Sequence, residues 1–173
     1  FNLYGYVNPD PGFTYEPLNS ARGIDAMRTR SVDFAGSEGP LNQGQRAARD
    51  LRMFPIIATA IAVPYNLTDT DGNPIPSGLK LSADVLAGIF AGEITRWNDP
   101  AITALNTPIK LPDAEIKVIH RSPGSGTSLI FTSYLSAASA MWAEEYGSGD
   151  AVEWPIGTNA ALNSDMSTLI AAI

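Results

Sequence analysis

The stretch "HRSPGSGTSLIFTSYL", residues 120–135, places a glycine-rich turn between a strand pattern and a helix pattern. The preceding "EIKVIHR" (115–121) alternates as a strand does, whereas the apolar residues after the turn recur at helical spacing: Ile130, Phe131, Tyr134, Leu135, Ala138, Met141 and Trp142. Open α/β folds bind ligands at the carboxyl ends of their strands, which is where this turn lies. The stretch therefore predicts an α/β unit with a ligand site in the turn.

The turn carries the components of a site for a tetrahedral anion. A helix start leaves its first N–H groups unpaired and carries partial positive charge. Gly124 and Gly126 allow close approach of the backbone, Ser125 and Thr127 add hydroxyl donors, and Arg121 offers a bidentate fork. Spacing alone supports a second interpretation equally well, in which a hydroxyl caps the helix and the glycines only form the turn.

Catalysis is poorly supported by the residue inventory. The turn is neither a Walker A loop nor a Gly-x-Ser-x-Gly elbow, and the chain has one histidine, His120, and no cysteine. A phosphate-ester hydrolase would need a metal or a base, and no Asp/Glu cluster has ligand spacing. We therefore predict no enzyme, no catalytic residue, no metal and no cofactor, with His120 as a surface or packed residue.

Composition limits the class of partner. The 173 residues, 45% hydrophobic and 17% charged, suit one domain or two small lobes, and they include no 20-residue apolar run. The net charge of −7 argues against nucleic acid and anionic membranes as partners. A single anion can still bind to oriented N–H groups inside an acidic protein.

Strand and helix patterns alternate along the rest of the chain. We predict strands at 12–18, 31–37 and 151–157, and a long strand or a segment crossing between lobes at 54–67. Helices are predicted at 19–30, with Ser20 as N-cap, at 83–91 between Ser82 and Gly92, from Asp99–Pro100, and at the chain end. Residues 12–37 would form a β-α-β unit with a parallel strand pair.

A second strand-end loop, "SVDFAGSEGPL" (31–41), contributes Glu38. A carboxylate beside an anion is reasonable if the anion carries a proton, because hydrogen phosphate can donate to Glu38 whereas sulfate cannot. Burying that mismatch would cost on the order of a few kcal/mol. Considered alone, Glu38 is better interpreted as an exposed loop acid.

Together these segments resemble the phosphate-binding proteins of ABC-type phosphate importers, from about Tyr15 to Ile173. The matching segments are "VDFAGSEGPL", "FPIIATAIAVPYNL", "LKLSADVLAGIFAGEITRWNDPAITALN", "LPDAEIKVIHRSPGSGTSLIFTSYLS" and "VEWPIG". The resemblance implies a two-lobed periplasmic-binding-protein-like fold of type II, with mixed or parallel sheets flanked by helices. It implies part of lobe one at 1–60, most of lobe two at 61–173, phosphate in the cleft, a membrane ABC permease as partner, and a periplasmic or secreted location.

The resemblance also implies a ligand set, carried over by position. The phosphate ligands would be Ser20, Glu38, Arg121, Ser125, Gly126 and Thr127. Hydroxyls and loop N–H groups would donate hydrogen bonds, and Arg121 would supply the opposite charge. Closure of the lobes would dehydrate the anion and so strengthen these contacts.

The chain departs from the family pattern at several points. "FNLYGYVNPDPGF" (1–13) lacks the family's first glycine-rich loop, Glu38 replaces the usual Asp, Pro123 replaces a common acid, and "TNAALNSD" (158–165) keeps only Asn163 of a glycine-rich loop. The chain is similar to a central portion of the family, so another chain or segment would complete the lobes. These departures motivate an alternative to phosphate binding: a structural or interaction module within a larger assembly, with a degraded site. Asn66 begins an N-glycosylation sequon, a triplet common by chance.

Overall fold

The computed structural model describes residues 6–7, 12, 14–49 and 51–173. Its two strands, β1 and β2, lie late in the chain, and helices occupy much of the remainder. In chain order the elements are α1 (Ser20–Thr29), α2 (Gln43–Arg49), α3 (Ala83–Ala91), α4 (Pro100–Thr103), β1 (Ile119–Arg121), α5 (Gly126–Ala138), α6 (Ala140–Glu145), β2 (Thr158–Ala160) and α7 (Asn163–Ala171).

The helix ends show how local sequence defines these elements. Ser82 caps α3 by accepting a hydrogen bond from the Val85 N–H, and Gly92 ends that helix in the left-handed conformation, with φ of 81°. Asp99 caps α4, with Pro100 in its first position, as predicted. The prediction for α1 is wrong by one residue, because Asn19, not Ser20, accepts the capping bond from Arg22.

The sheet is a parallel pair, with Ile119 opposite Thr158 and Arg121 opposite Ala160. Helices α5 and α6 connect its two strands, so the β-α-β unit lies at residues 119–160. The predicted β-α-β unit at 12–37 is wrong, since residues 14–18 and 31–37 form no strand; Phe13 lies outside the described residues.

Two further predicted strands do not form. Residues 151–157 contain no strand, and β2 begins directly after them. Residues 54–67 contain none either, and among the described residues no backbone–backbone hydrogen bond involves 54–66. A strand exists through its partner, and apolar patterning alone does not supply one. The α/β class is nevertheless confirmed, with most regular residues in helices.

The core lies where α3, α5 and α6 pack together. Leu135, Trp142 and Ile102 are completely buried. Phe90 of α3 meets Phe131 of α5 edge to face, with ring centroids 4.8 Å apart. The predicted helical face from Ile130 to Trp142 is divided between two helices, because Ser139 is extended between α5 and α6. This packing fixes the direction of α5, whose first turn faces the candidate site.

No helix among the described residues is long and apolar enough to cross a membrane.

Candidate functional site

The candidate site is built around the first turn of α5. Ser125 is its N-cap: the side chain is 1% exposed, and its hydroxyl accepts a hydrogen bond from the Ser128 N–H at 3.3 Å. The N–H groups of Gly124 and Ser125 donate to the Asp150 carbonyl at 2.8 and 3.2 Å. In the described part of the chain no hydrogen bond uses the N–H of Gly126 or Thr127. These two donors therefore remain for a ligand.

The start of α1 lies against this turn. The Ala21 N–H donates to the Gly124 carbonyl at 3.1 Å, and the Asn19 amide donates to the Pro123 carbonyl at 3.4 Å. Gly124 has φ of 85°, a conformation that favours glycine, and a Cβ there would lie 2.9 Å from the Ala21 Cβ. The glycine therefore lets α1 approach closely.

Glu38 joins the two helix starts. Its N–H donates to the Ser20 hydroxyl at 3.3 Å, and its carboxylate accepts a hydrogen bond from the Thr127 hydroxyl. Gly126 lies between them, since a Cβ on it would be 2.5 Å from the Ser20 Oγ and 2.9 Å from the Glu38 Cβ. The structure thus brings Ser20 and Glu38 next to Gly126 and Thr127, which follow them by about 90 residues or more in sequence.

Arg121 ends β1 on the other side of the turn and is 7% exposed. Its Nη1 donates to the Asn163 side-chain oxygen and its Nη2 to the Ala161 carbonyl at 2.9 Å. Its Nε is buried and has no hydrogen-bond partner among the described residues. Arg121 and Thr127 line the same cavity of about 650 Å³, whose walls are largely apolar. A buried cation with an unused donor is suited to an anion.

His120 is a packed residue, one of the two environments expected for it from the sequence. It is 6% exposed and stacks on Trp154, with ring centroids 4.8 Å apart and an interplanar angle of 18°. Its Nδ1 lies 3.3 Å from the Arg121 carbonyl oxygen. Burial lowers the pKa of the imidazole, because the cation is poorly solvated there. Among the described residues no three His, Cys, Asp or Glu side chains cluster as metal ligands.

The sequence did not predict the contacts that two residues make at the site. Asp150 acts through its backbone carbonyl, which any residue could provide, so its identity carries no signal. Asn163 was recognised only as a family match, and its contact with Arg121 spans 42 positions. Local patterns cannot reveal either contact.

The arrangement combines N–H donors, hydroxyls and a guanidinium, which suit an anion, with one carboxylate, which suits an anion that carries a proton. A family model described as "PBP superfamily domain" matches residues 4–170. The chain belongs to the PBP superfamily. This membership agrees with the predicted periplasmic-binding-protein-like fold, of which the described residues form an α/β part.

Curated relatives of this PBP superfamily chain carry a common name. The phosphate-binding protein PstS of Xylella fastidiosa (strain Temecula1) is 35% identical over 159 residues, which cover 92% of this chain and 43% of the relative. PstS of Pasteurella multocida is 38% identical, covering 92% and 45%, and PstS of Methanocaldococcus jannaschii is 37% identical, covering 88% and 40%. The chain thus spans less than half the length of these relatives.

Proposed function

We propose that this chain binds inorganic phosphate at the start of α5 and serves as part of the solute-binding component of a phosphate uptake system. The observation that carries the proposal is the contact of Ser20 and Glu38 with Gly126 and Thr127. Relatives named phosphate-binding protein, 35–38% identical over most of this chain, support the same ligand.

Each ligand residue has a defined contribution in this proposal. Gly126 and Thr127 donate their free N–H groups at the positive end of the α5 dipole. Ser20 accepts from the Glu38 N–H, so its hydroxyl proton is free to be donated to phosphate. Ser125 caps the helix through its oxygen and likewise retains a proton. Arg121 supplies the positive charge from the cavity wall.

Glu38 provides selectivity for a protonated anion. Its carboxylate accepts hydrogen bonds but cannot donate them when ionised, so it pairs with the P–OH of hydrogen phosphate. Sulfate has no proton to offer at neutral pH and would place two negative groups together. In a dehydrated site that repulsion costs on the order of a few kcal/mol, equivalent to about a hundredfold in affinity.

The remaining roles follow the same proposal. Residues 1–60 contribute to one lobe and residues 61–173 to the other, with phosphate in the cleft. A membrane ABC permease receives the released phosphate, and the protein works in the periplasm or outside the cell. Nucleic acid is not a partner, since the net charge is −7. The chain acts by binding and not by catalysis.

Isothermal titration with phosphate and with sulfate tests the proposal. Phosphate is expected to release binding heat and sulfate none. Glu38→Gln should narrow the difference in affinity between the two anions, because the amide can donate a hydrogen bond to sulfate. Glu153→Gln, an exposed acid elsewhere, is the matched control and should leave discrimination unchanged. Equal heats for the two anions in the unaltered protein would contradict the role of Glu38, and no heat for phosphate would contradict the function.

A second candidate, an interaction module, is favoured by one observation. Phe54, Ile56 and Ile57 are 73%, 81% and 79% exposed and lie close together in a segment without regular secondary structure. Such apolar exposure is typical of a surface that another chain or segment covers. Light scattering after size-exclusion chromatography tests this candidate: a monodisperse monomer that unfolds cooperatively counts against it.

A further inference from the structure

We propose that Asn163 is a positioning residue for Arg121, holding the guanidinium in place without neutralising its charge. The inference rests on the proposed phosphate site and extends it to a residue beyond the expected ligand set. Three observations carry it: the burial of Arg121, the neutral nature of its partners, and the origin of both partners in one turn.

Arg121 is held by neutral acceptors at one end of its guanidinium. Nη1 donates to the Asn163 amide oxygen and Nη2 to the Ala161 carbonyl at 2.9 Å, whereas the buried Nε has no partner in the part of the chain that the structure describes. A guanidinium has five N–H donors in a rigid planar fork, so fixing two nitrogens also fixes the direction of the third. The unused donors are thereby oriented before a ligand arrives.

No ion pair with a described residue compensates the charge of Arg121. The ion pairs found among the described residues all lie at exposed side chains: Arg28–Asp25, Arg96–Asp113 and Lys110–Asp71. None involves Arg121, although it is 7% exposed. A buried unpaired charge is costly, and an anionic ligand is the partner that would remove this cost. An amide at position 163 supplies the hydrogen bond and preserves that attraction, whereas a carboxylate would compete with the ligand.

Both acceptors lie just after β2: Ala161 in the connection to α7, and Asn163 at the first position of α7. Ala160 lies opposite Arg121 in the parallel pair and is 1% exposed, which places the connection beside the guanidinium. The Leu162 N–H donates to the Asp165 carboxylate at 3.0 Å, closing the first turn of α7. Asn163 is therefore presented from a defined turn, as a positioning role requires.

Two variants separate positioning from charge. Asn163→Asp keeps the shape and an acceptor but adds a carboxylate, so Arg121 should stay ordered while phosphate affinity falls about tenfold. Asn163→Ala removes the acceptor, so Arg121 should lose order and affinity should also fall. Asn159→Asp adds the same charge at an exposed position of β2, opposite His120 in the strand register, and should change phosphate affinity less than twofold.

The readouts are isothermal titration with inorganic phosphate and proton–nitrogen spectra of arginine-labelled protein, in which slow guanidinium rotation marks an ordered Arg121. Asn163→Asp with wild-type affinity, or Asn163→Ala with an unchanged Arg121 signal, would overturn the inference. If the unaltered protein binds no phosphate, the proposed function fails, and the arginine spectra alone decide whether Asn163 holds Arg121. Unchanged thermal unfolding of Asn163→Asp excludes a general loss of structure as the cause of weaker binding.

Discussion

Replacing Gly126 by alanine tests how closely the site is assembled. The added Cβ would lie 2.5 Å from the Ser20 Oγ, 2.9 Å from the Glu38 Cβ and 3.0 Å from the Gly39 N. Rotation of the Ser20 side chain relieves only the first contact. The other two atoms move only with the backbone of residues 38–39, so the loop that carries the carboxylate must be displaced.

Two opposing contributions set the change in the free energy of unfolding caused by Gly126→Ala. Forcing an extra methyl into a packed site costs about 1–3 kcal/mol, whereas alanine is better than glycine in a helix by about 1 kcal/mol, and by less at the first helical position. The free energy of unfolding should therefore fall by about 1–2 kcal/mol. Displacing Glu38 should weaken phosphate binding at least about tenfold, equivalent to about 1.4 kcal/mol.

Urea denaturation and phosphate titration of the Gly126→Ala protein measure both quantities. Gly36→Ala is the matched control, because its Cβ would meet no atom within 4 Å and it lies two positions before Glu38. The control should keep both stability and affinity close to those of the unaltered protein. If Gly126→Ala behaves like Gly36→Ala, then Ser20 and Glu38 do not lie against this helix start, and the proposed site is wrong.

Two further predictions concern the core around β1. Burial lowers the pKa of His120 below its ordinary 6.5, so the unfolded chain takes up a proton more readily than the folded protein. The free energy of unfolding should therefore be highest above about pH 6.5 and should fall as the pH drops toward the folded pKa. His120→Phe should remove this loss in denaturation curves between pH 8 and pH 5. Trp142→Ala should lower the unfolding free energy by about 3–5 kcal/mol in urea, because Trp142 is fully buried; a loss below 1 kcal/mol would contradict its place in the core.

Helix ends could be predicted because their determinants are local. The hydroxyl of Ser82, the Asp99–Pro100 pair and the left-handed Gly92 each act within a few residues, and all three appear as expected. The cap of α1 differed by one position because Asn19 and Ser20 are both good capping residues. Ser20 is then free to contact Glu38, a role that capping would have obstructed.

Strands were predicted less well because pairing is not local. Residues 31–37 and 54–67 have strand-like apolar patterns, yet neither segment forms a strand in the described structure. Residues 119–121 do form a strand, since residues 158–160 lie alongside. An apolar pattern therefore indicated segments suited to burial but not the neighbour needed to form a ladder.

The same distinction between local and distant contacts applies to the candidate site. The turn at 124–127 was recognisable from spacing, and its capping role belongs to Ser125. The position of Ser20 and Glu38 beside this turn was expected only from the resemblance to a family, because no local rule links residues so far apart in sequence. The partners of Arg121 were not predicted, and they lie about 40 positions away.

Thr127 explains why one short turn can organise a site from such distant parts. Its hydroxyl contacts the Glu38 carboxylate, and it lines the cavity wall that includes Arg121. The acid therefore contacts Thr127 directly, and the cation lines the same cavity as Thr127, whose own N–H group belongs to the first turn of α5. A displacement of this turn would change both the hydrogen bonds that Glu38 accepts and the attraction of Arg121 for an anion. Selectivity and affinity in this site should consequently be coupled, with variants of the turn affecting both and variants of Asn163 affecting affinity alone.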